Sequence, residues 1–153
     1  MIIRFNKNLV NKFHINNFST VMGYVGIYFI FLKDLSIPYP FKSSKLIYIG
    51  MSESRINSIG KRLKDHASGR SNNKGIIGYN KRWGLDFTYI DYDFLKHIFE
   101  SKNIEEVETF FLEDFANTFG TYPICNNKRG DLGKLLRKKD TPRIDWQFFG
   151  EKK

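Results

Sequence analysis

Tyr28, Tyr48, Arg62, His66 and Glu108 are five of the side chains in this sequence whose types move protons or hold anions. Tyr28 closes the tripeptide Gly26-Ile27-Tyr28, and Tyr48 opens Tyr48-Ile49-Gly50. Each tripeptide lies in a run rich in β-branched and aromatic residues, 24–32 and 45–50, which suits a pleated, half-buried strand. Two adjacent antiparallel strands would bring the two phenols together at one end of a small sheet. Arg62 and His66 are four residues apart, so on a helix they share one flank. Glu108 stands on a second helical stretch beside Glu105, Glu106, Glu113 and Asp114. Each of the five also has a plain structural reading. A strand tyrosine packs in the core with its hydroxyl satisfied, and a helix glutamate or arginine lines a solvated face.

The elements that would position these groups follow from pattern. Residues 33–44 contain two prolines and a Lys-Asp pair and read as a connecting loop. A helix is expected over 52–68, capped by Ser52 or Ser54, with Ile56, Ile59, Leu63 and Ala67 on its apolar face and Gly69 as its stop. Gly60 inside it costs about 1 kcal/mol relative to alanine. Residues 70–83 are polar, basic and glycine-containing, and read as a loop with at most a short helix. Alternation over 85–92 predicts a third strand, and 94–99 a short helical turn. The clearest helix spans 103–119, with Asn103 as cap and Glu105 and Glu106 at the positive end of the helix dipole. Gly120 ends it, and residues 123–127 turn the chain back.

The chain has 153 residues, enough for one domain with a hydrophobic core. Its net charge of +9 makes a polyanion the natural partner, nucleic acid before anionic membrane. No apolar run reaches the length of a spanning helix, and the N-terminus lacks a signal-peptide pattern. Cys125 is the single cysteine, so an internal disulfide and a cysteine-rich zinc site are both excluded. These features point to an intracellular, cytoplasmic protein that is not secreted. The basic residues Arg70, Lys74, Lys81 and Arg82, with Tyr79 and Trp83 among them, could grip a nucleic-acid backbone and stack on a base. An ordinary soluble loop has the same composition. The Arg137-Lys138-Lys139 cluster is a weaker instance of the same idea.

Taken in order, these parts resemble the GIY-YIG nuclease family. The match runs over 23–127: Gly26-Ile27-Tyr28, Tyr48-Ile49-Gly50, a helix bearing Arg62 and His66, a third strand, then Glu108-x-x-x-Leu112-x-x-Phe115-x-x-x-Phe119-Gly120-x-x-Pro123-x-x-Asn126. The resemblance implies an α/β (α+β) domain with a small three-stranded, mainly antiparallel sheet flanked by helices. Residues 1–22 would be an N-terminal extension and 128–153 a basic C-terminal one. The stretch between the tripeptides is longer than in compact members, which makes 33–44 a candidate for specificity or partner contacts. With no zinc-finger or helix-turn-helix appendage, a small standalone endonuclease is expected.

The resemblance also assigns roles. Tyr28 would be the general base or position the water, with Tyr48 in the same network. A free phenol has a pKa near ~10, so the base role needs neighbouring positive charge. Arg62 would stabilise charge on the scissile phosphate, and His66 would bond the phosphate or a tyrosine. Glu108 would hold Mg²⁺ or Mn²⁺, with Glu113 the alternative if the register differs. Asn126 would orient backbone or phosphate, or simply cap its turn. The implied partner is double-stranded or branched DNA, and cutting both strands needs a homodimer or two visits. A binding module that does not cut, and a nuclease acting on RNA, are the competing expectations.

Overall fold

The computed structural model of the chain describes residues 2–5, 13–100, 102–126 and 142–150. The elements in chain order are β1 (Ile2–Arg4), β2 (Phe13–His14), a 3₁₀ segment (Ile15–Val21), β3 (Gly26–Phe31), β4 (Ile37–Pro38), β5 (Ser43–Ser44) and β6 (Leu46–Ser52). Then come α1 (Ile59–Ser68), α2 (Lys74–Trp83), β7 (Asp86–Asp91), α3 (Tyr92–Ile98), α4 (Ile104–Phe119), β8 (Arg143–Asp145) and a closing 3₁₀ turn (Trp146–Phe149).

The fold is mixed α and β, built on an antiparallel sheet in the order β2-β7-β3-β6. Every residue of the central strand β3 is buried. That explains its unbroken apolar run, since a strand covered on both faces does not need to alternate. Phe29 and Phe31 point to one side, where they meet Phe111 of α4 and Phe149. Tyr28 points to the other side. The sheet has four strands rather than the expected three. Phe13–His14, inside the segment read as an N-terminal extension, pairs with Phe87 and Asp86 of β7. A two-residue strand carries no periodicity to detect. β1 and β8 form a separate parallel pair that brings Ile3 beside Ile144.

Helix α1 starts seven residues later than expected. Ser58, not Ser52 or Ser54, caps it, accepting from the Lys61 amide at 3.2 Å. Ile56 precedes the helix and is 87% exposed, so it is not part of the apolar face. Gly69 ends α1 at φ 83°, a left-handed conformation suited to glycine. Gly60 has a reason to be there: α1 crosses the 3₁₀ segment so closely that a Cβ would stand 2.6 Å from the Phe18 carbonyl oxygen and 2.7 Å from the Met22 nitrogen. Helix propensity alone would make Gly60→Ala stabilising. The contact reverses the sign, and we expect a thermal melt to show a lower Tm, by the ~1–3 kcal/mol of an overpacked core.

The stretch 70–83 is largely helical, against the expectation of a loop. Asn73 caps α2, accepting from the Ile76 amide at 3.1 Å. Gly75 and Gly78 weaken the pattern, but Ile76 is fully buried and anchors the helix. Helix α4 has a full capping box between Asn103 and Glu106, and Gly120 closes it at φ 93°.

The long connection between the tripeptides folds as the β4–β5 hairpin and is anchored to the end of α4. The Tyr39 hydroxyl donates to the Leu46 carbonyl at 2.6 Å and accepts from the Ile124 amide at 3.0 Å. The Phe41 amide donates to the Phe119 carbonyl, and the Lys42 ammonium lies 5.2 Å from the Phe119 ring centroid. Among the described residues, no helix is long and apolar enough to cross a membrane. The Arg137-Lys138-Lys139 cluster lies outside the described residues.

Candidate functional site

Strands β3 and β6 pair with Tyr28 opposite Gly50 and Ile30 opposite Tyr48. The two tyrosines are therefore diagonal neighbours on one face, with ring centroids 6.0 Å apart. The Tyr28 ring lies in the space that Gly50 leaves open; a Cβ there would stand 2.3 Å from its Cζ. Tyr28 is 1% exposed, and Tyr48 is half-buried.

Helix α1 lays His66 across both phenols. Its Nε2 is 3.0 Å from the Tyr28 hydroxyl, and its ring centroid is 5.0 Å from that of Tyr48. The other ring nitrogen, Nδ1, is 2.8 Å from the Ser71 hydroxyl. His66 thus engages a tyrosine and a serine. Arg62, one turn earlier, is partly buried, and its buried Nε has no hydrogen-bond partner among the described residues. Glu108 is partly buried in α4, and its charge is felt by both Tyr28 and Tyr48, as is that of Arg62.

The electrostatics run against a tyrosinate. Burial raises the Tyr28 pKa well above its ordinary value, and the Tyr48 and Glu108 charges add to this while Arg62 opposes it. Burial raises Tyr48 as well. His66 is lowered from 6.5 to about 4, first by burial and then by the Arg62 cation, with Asp65 opposing. At neutral pH the two phenols and the imidazole are all uncharged, between one cation and one carboxylate.

This has a measurable consequence for stability. The fold favours neutral His66, so its contribution is complete above the unfolded-chain pKa of 6.5 and is lost as pH falls towards about 4. We expect stability to drop by up to about 3 kcal/mol over that window. His66→Gln should flatten this part of the pH profile in denaturant unfolding.

Asn126 is a positioning residue. Its Oδ1 accepts from the Ile49 amide at 3.0 Å and its Nδ2 donates to the Ile49 carbonyl at 2.8 Å. It therefore pairs with the edge of β6 as a strand would, and the Cys125 amide adds a bond to the Ile47 carbonyl. Glu113 is buried and accepts from the Tyr122 hydroxyl. Cys125 is buried, with its thiol pushed up to about 12, and acts as a small packing residue.

Arg70, Lys74, Lys81 and Arg82 are all exposed, on the α1–α2 turn and on α2. Two contributors, Ser71 and Asn73, were not singled out in the sequence, and Gly50 stood there only as the end of its tripeptide. Asn73 caps α2 and also donates to the Cys125 carbonyl at 2.9 Å. Of Ser71 and Asn73, only Asn73 left a trace, as a capping residue ahead of Ile76 and Ile77. Comparison of the chain with family models, with curated proteins and with solved structures found no match.

Proposed function

We propose that this chain is a metal-dependent endonuclease of GIY-YIG type that hydrolyses phosphodiester bonds in DNA. The observation that carries the reading is the convergence of Tyr28, Tyr48, Arg62, His66 and Glu108 from β3, β6, α1 and α4. The order of the motifs along the chain and the antiparallel β7-β3-β6 core support a fold of the same kind.

Hydrolysis needs a water deprotonated as it attacks, a stabilised phosphate and a leaving oxygen that is helped away. Tyr28 is too deeply buried to wait as a phenolate. It acts by relay: its hydroxyl oxygen takes a proton from water while its own proton passes to Nε2 of neutral His66. Ser71 fixes the imidazole by bonding Nδ1, which then carries the proton. Among the described residues the buried Nε–H of Arg62 has no partner, and it can donate to the phosphate; such a donor is costly to leave unpaired. Asn126 holds the backbone from which Tyr48 projects.

Among the described residues, no group of three or more His, Cys, Asp or Glu side chains converges as a metal cage. One partly exposed carboxylate suits a hard cation that keeps most of its waters. Glu108 would hold Mg²⁺ or Mn²⁺, which supplies charge neutralisation at the phosphate and its leaving oxygen. The exposed cations Arg70, Lys74, Lys81 and Arg82 would contact the DNA backbone, giving binding that weakens with salt.

The burial of Tyr28 favours one second reading, a module that binds nucleic acid without cutting. Purified protein incubated with Mg²⁺ and plasmid, branched DNA or RNA separates the two. Cleavage of a DNA form, blocked by EDTA, is expected. Salt-sensitive binding with no cleavage under Mg²⁺ or Mn²⁺ would establish the second reading instead.

A further inference from the structure

Helix α2 carries a feature that strand hydrolysis does not require. Tyr79 and Trp83 are four residues apart on it, with ring centroids 5.8 Å apart and planes tilted by 34°. Together with Lys74, Gly75, Gly78 and Arg82 they line an open groove of about 300 Å³. Trp83 is 52% exposed, although a tryptophan on a globular surface is more often covered. Gly78 forms the floor, and a Cβ there would meet nothing within 4 Å, so the groove is not filled from within.

The helix is also tied to the catalytic cluster. Ser71, just before it, bonds His66, and its cap Asn73 bonds the Cys125 carbonyl next to Asn126. Gly75 packs so tightly on Cys125 that a Cβ would lie 2.8 Å from Sγ. A ligand in the groove would thus sit on a scaffold continuous with the site.

We propose that the α2 groove binds one unpaired DNA nucleotide next to the cleaved strand, its base stacked on Trp83 and its phosphate between Lys74 and Arg82. This deepens the nuclease reading and rests on it for the identity of the strand. The chemistry favours an unpaired base. The rings are too close together to sandwich a base, so one exposed indole face is the platform. A base within a duplex has both its faces covered by its neighbours and cannot reach it. Stacking on an aromatic needs only a π-face, so any base is accepted. Exposed cations on either side supply the phosphate contacts without reading sequence. The substrate class is then DNA with a junction, flap or extrahelical base.

Tryptophan fluorescence tests this without cleavage. The chain has two tryptophans, and Trp146 is buried. Titration with a short single-stranded DNA oligonucleotide in EDTA should quench the Trp83 signal saturably. A blunt duplex of equal length should bind without quenching. Trp83→Ala should weaken single-strand binding, read by anisotropy of a labelled oligonucleotide, by about 5- to 100-fold. Trp83→Phe, which keeps the ring, should restore most of it. Equal quenching by blunt duplex, or unchanged affinity in Trp83→Ala, would overturn the proposal. Quenching without cleavage by the wild type would leave the groove standing and remove the nuclease.

Discussion

Gly50→Ala is expected to inactivate the protein although it adds one methyl group and changes no chemical group. Gly50 stands directly opposite Tyr28 in the β3–β6 pair, on the same face. The added Cβ would lie 2.3 Å from Tyr28 Cζ and 2.4 Å from its hydroxyl oxygen. The ring cannot move freely, because His66 bonds its hydroxyl and Tyr48 packs beside it. Either the ring leaves its place or the strands separate. Overpacking of this kind costs about 1–3 kcal/mol, and an ångström of misplacement at a reacting group can cost about 100-fold in rate. Denaturant unfolding and a cleavage assay read the two effects. A double-mutant cycle isolates the cause: in a Tyr28→Ala background the added methyl has room, so its stability cost should largely vanish. Wild-type cleavage by Gly50→Ala would mean that the position of the Tyr28 ring does not matter.

Tyr28→Phe is the complementary change, because it keeps the ring and removes the oxygen. We expect kcat to fall by about 10²–10⁴-fold, the usual contribution of a positioned acid–base group. KM should change little, since Tyr28 is buried and is not itself a surface for DNA. Stability should fall by only about 1–3 kcal/mol, because the His66 imidazole loses one buried partner. If Tyr28 and His66 act as one relay, removing both should cost little more than removing either. Losses that multiply would assign the two residues separate roles.

The strands at 24–32 and 45–50 were legible because their composition is strongly β. Helix α4 was legible because a capping box and a C-terminal glycine bracket an apolar face. Helix α2 was obscured by Gly75 and Gly78. Gly75 has a local reason to lack a side chain, its contact with Cys125, whereas a Cβ at Gly78 would meet nothing within 4 Å. The fourth strand and the 3₁₀ segment against α1 are too short to carry periodicity. Within the site, residue types and order could be read from the sequence, but the protonation states could not. A phenol beside an arginine suggests a lowered pKa. Burial proves the larger effect at Tyr28 and sends it the other way. On the proposed nuclease reading, that reversal turns Tyr28 from a base held as phenolate into one that hands its proton to His66. The connection at 33–44 reads from sequence as a connecting loop and a candidate for specificity or partner contacts. Tyr39 and Phe41 tie it to the end of α4, while Lys33, Asp34, Lys42 and Phe41, the last 71% exposed, still face outward.

The central claim is phosphodiester cleavage at the cluster that Glu108 completes. The most direct measurement is conversion of supercoiled plasmid to nicked circles in Mg²⁺, by wild type and by Glu108→Gln purified in parallel. The account predicts nicking by the wild type and a rate at least about 100-fold lower for the variant, with duplex binding retained in a gel shift. Equal rates from the two proteins would contradict it.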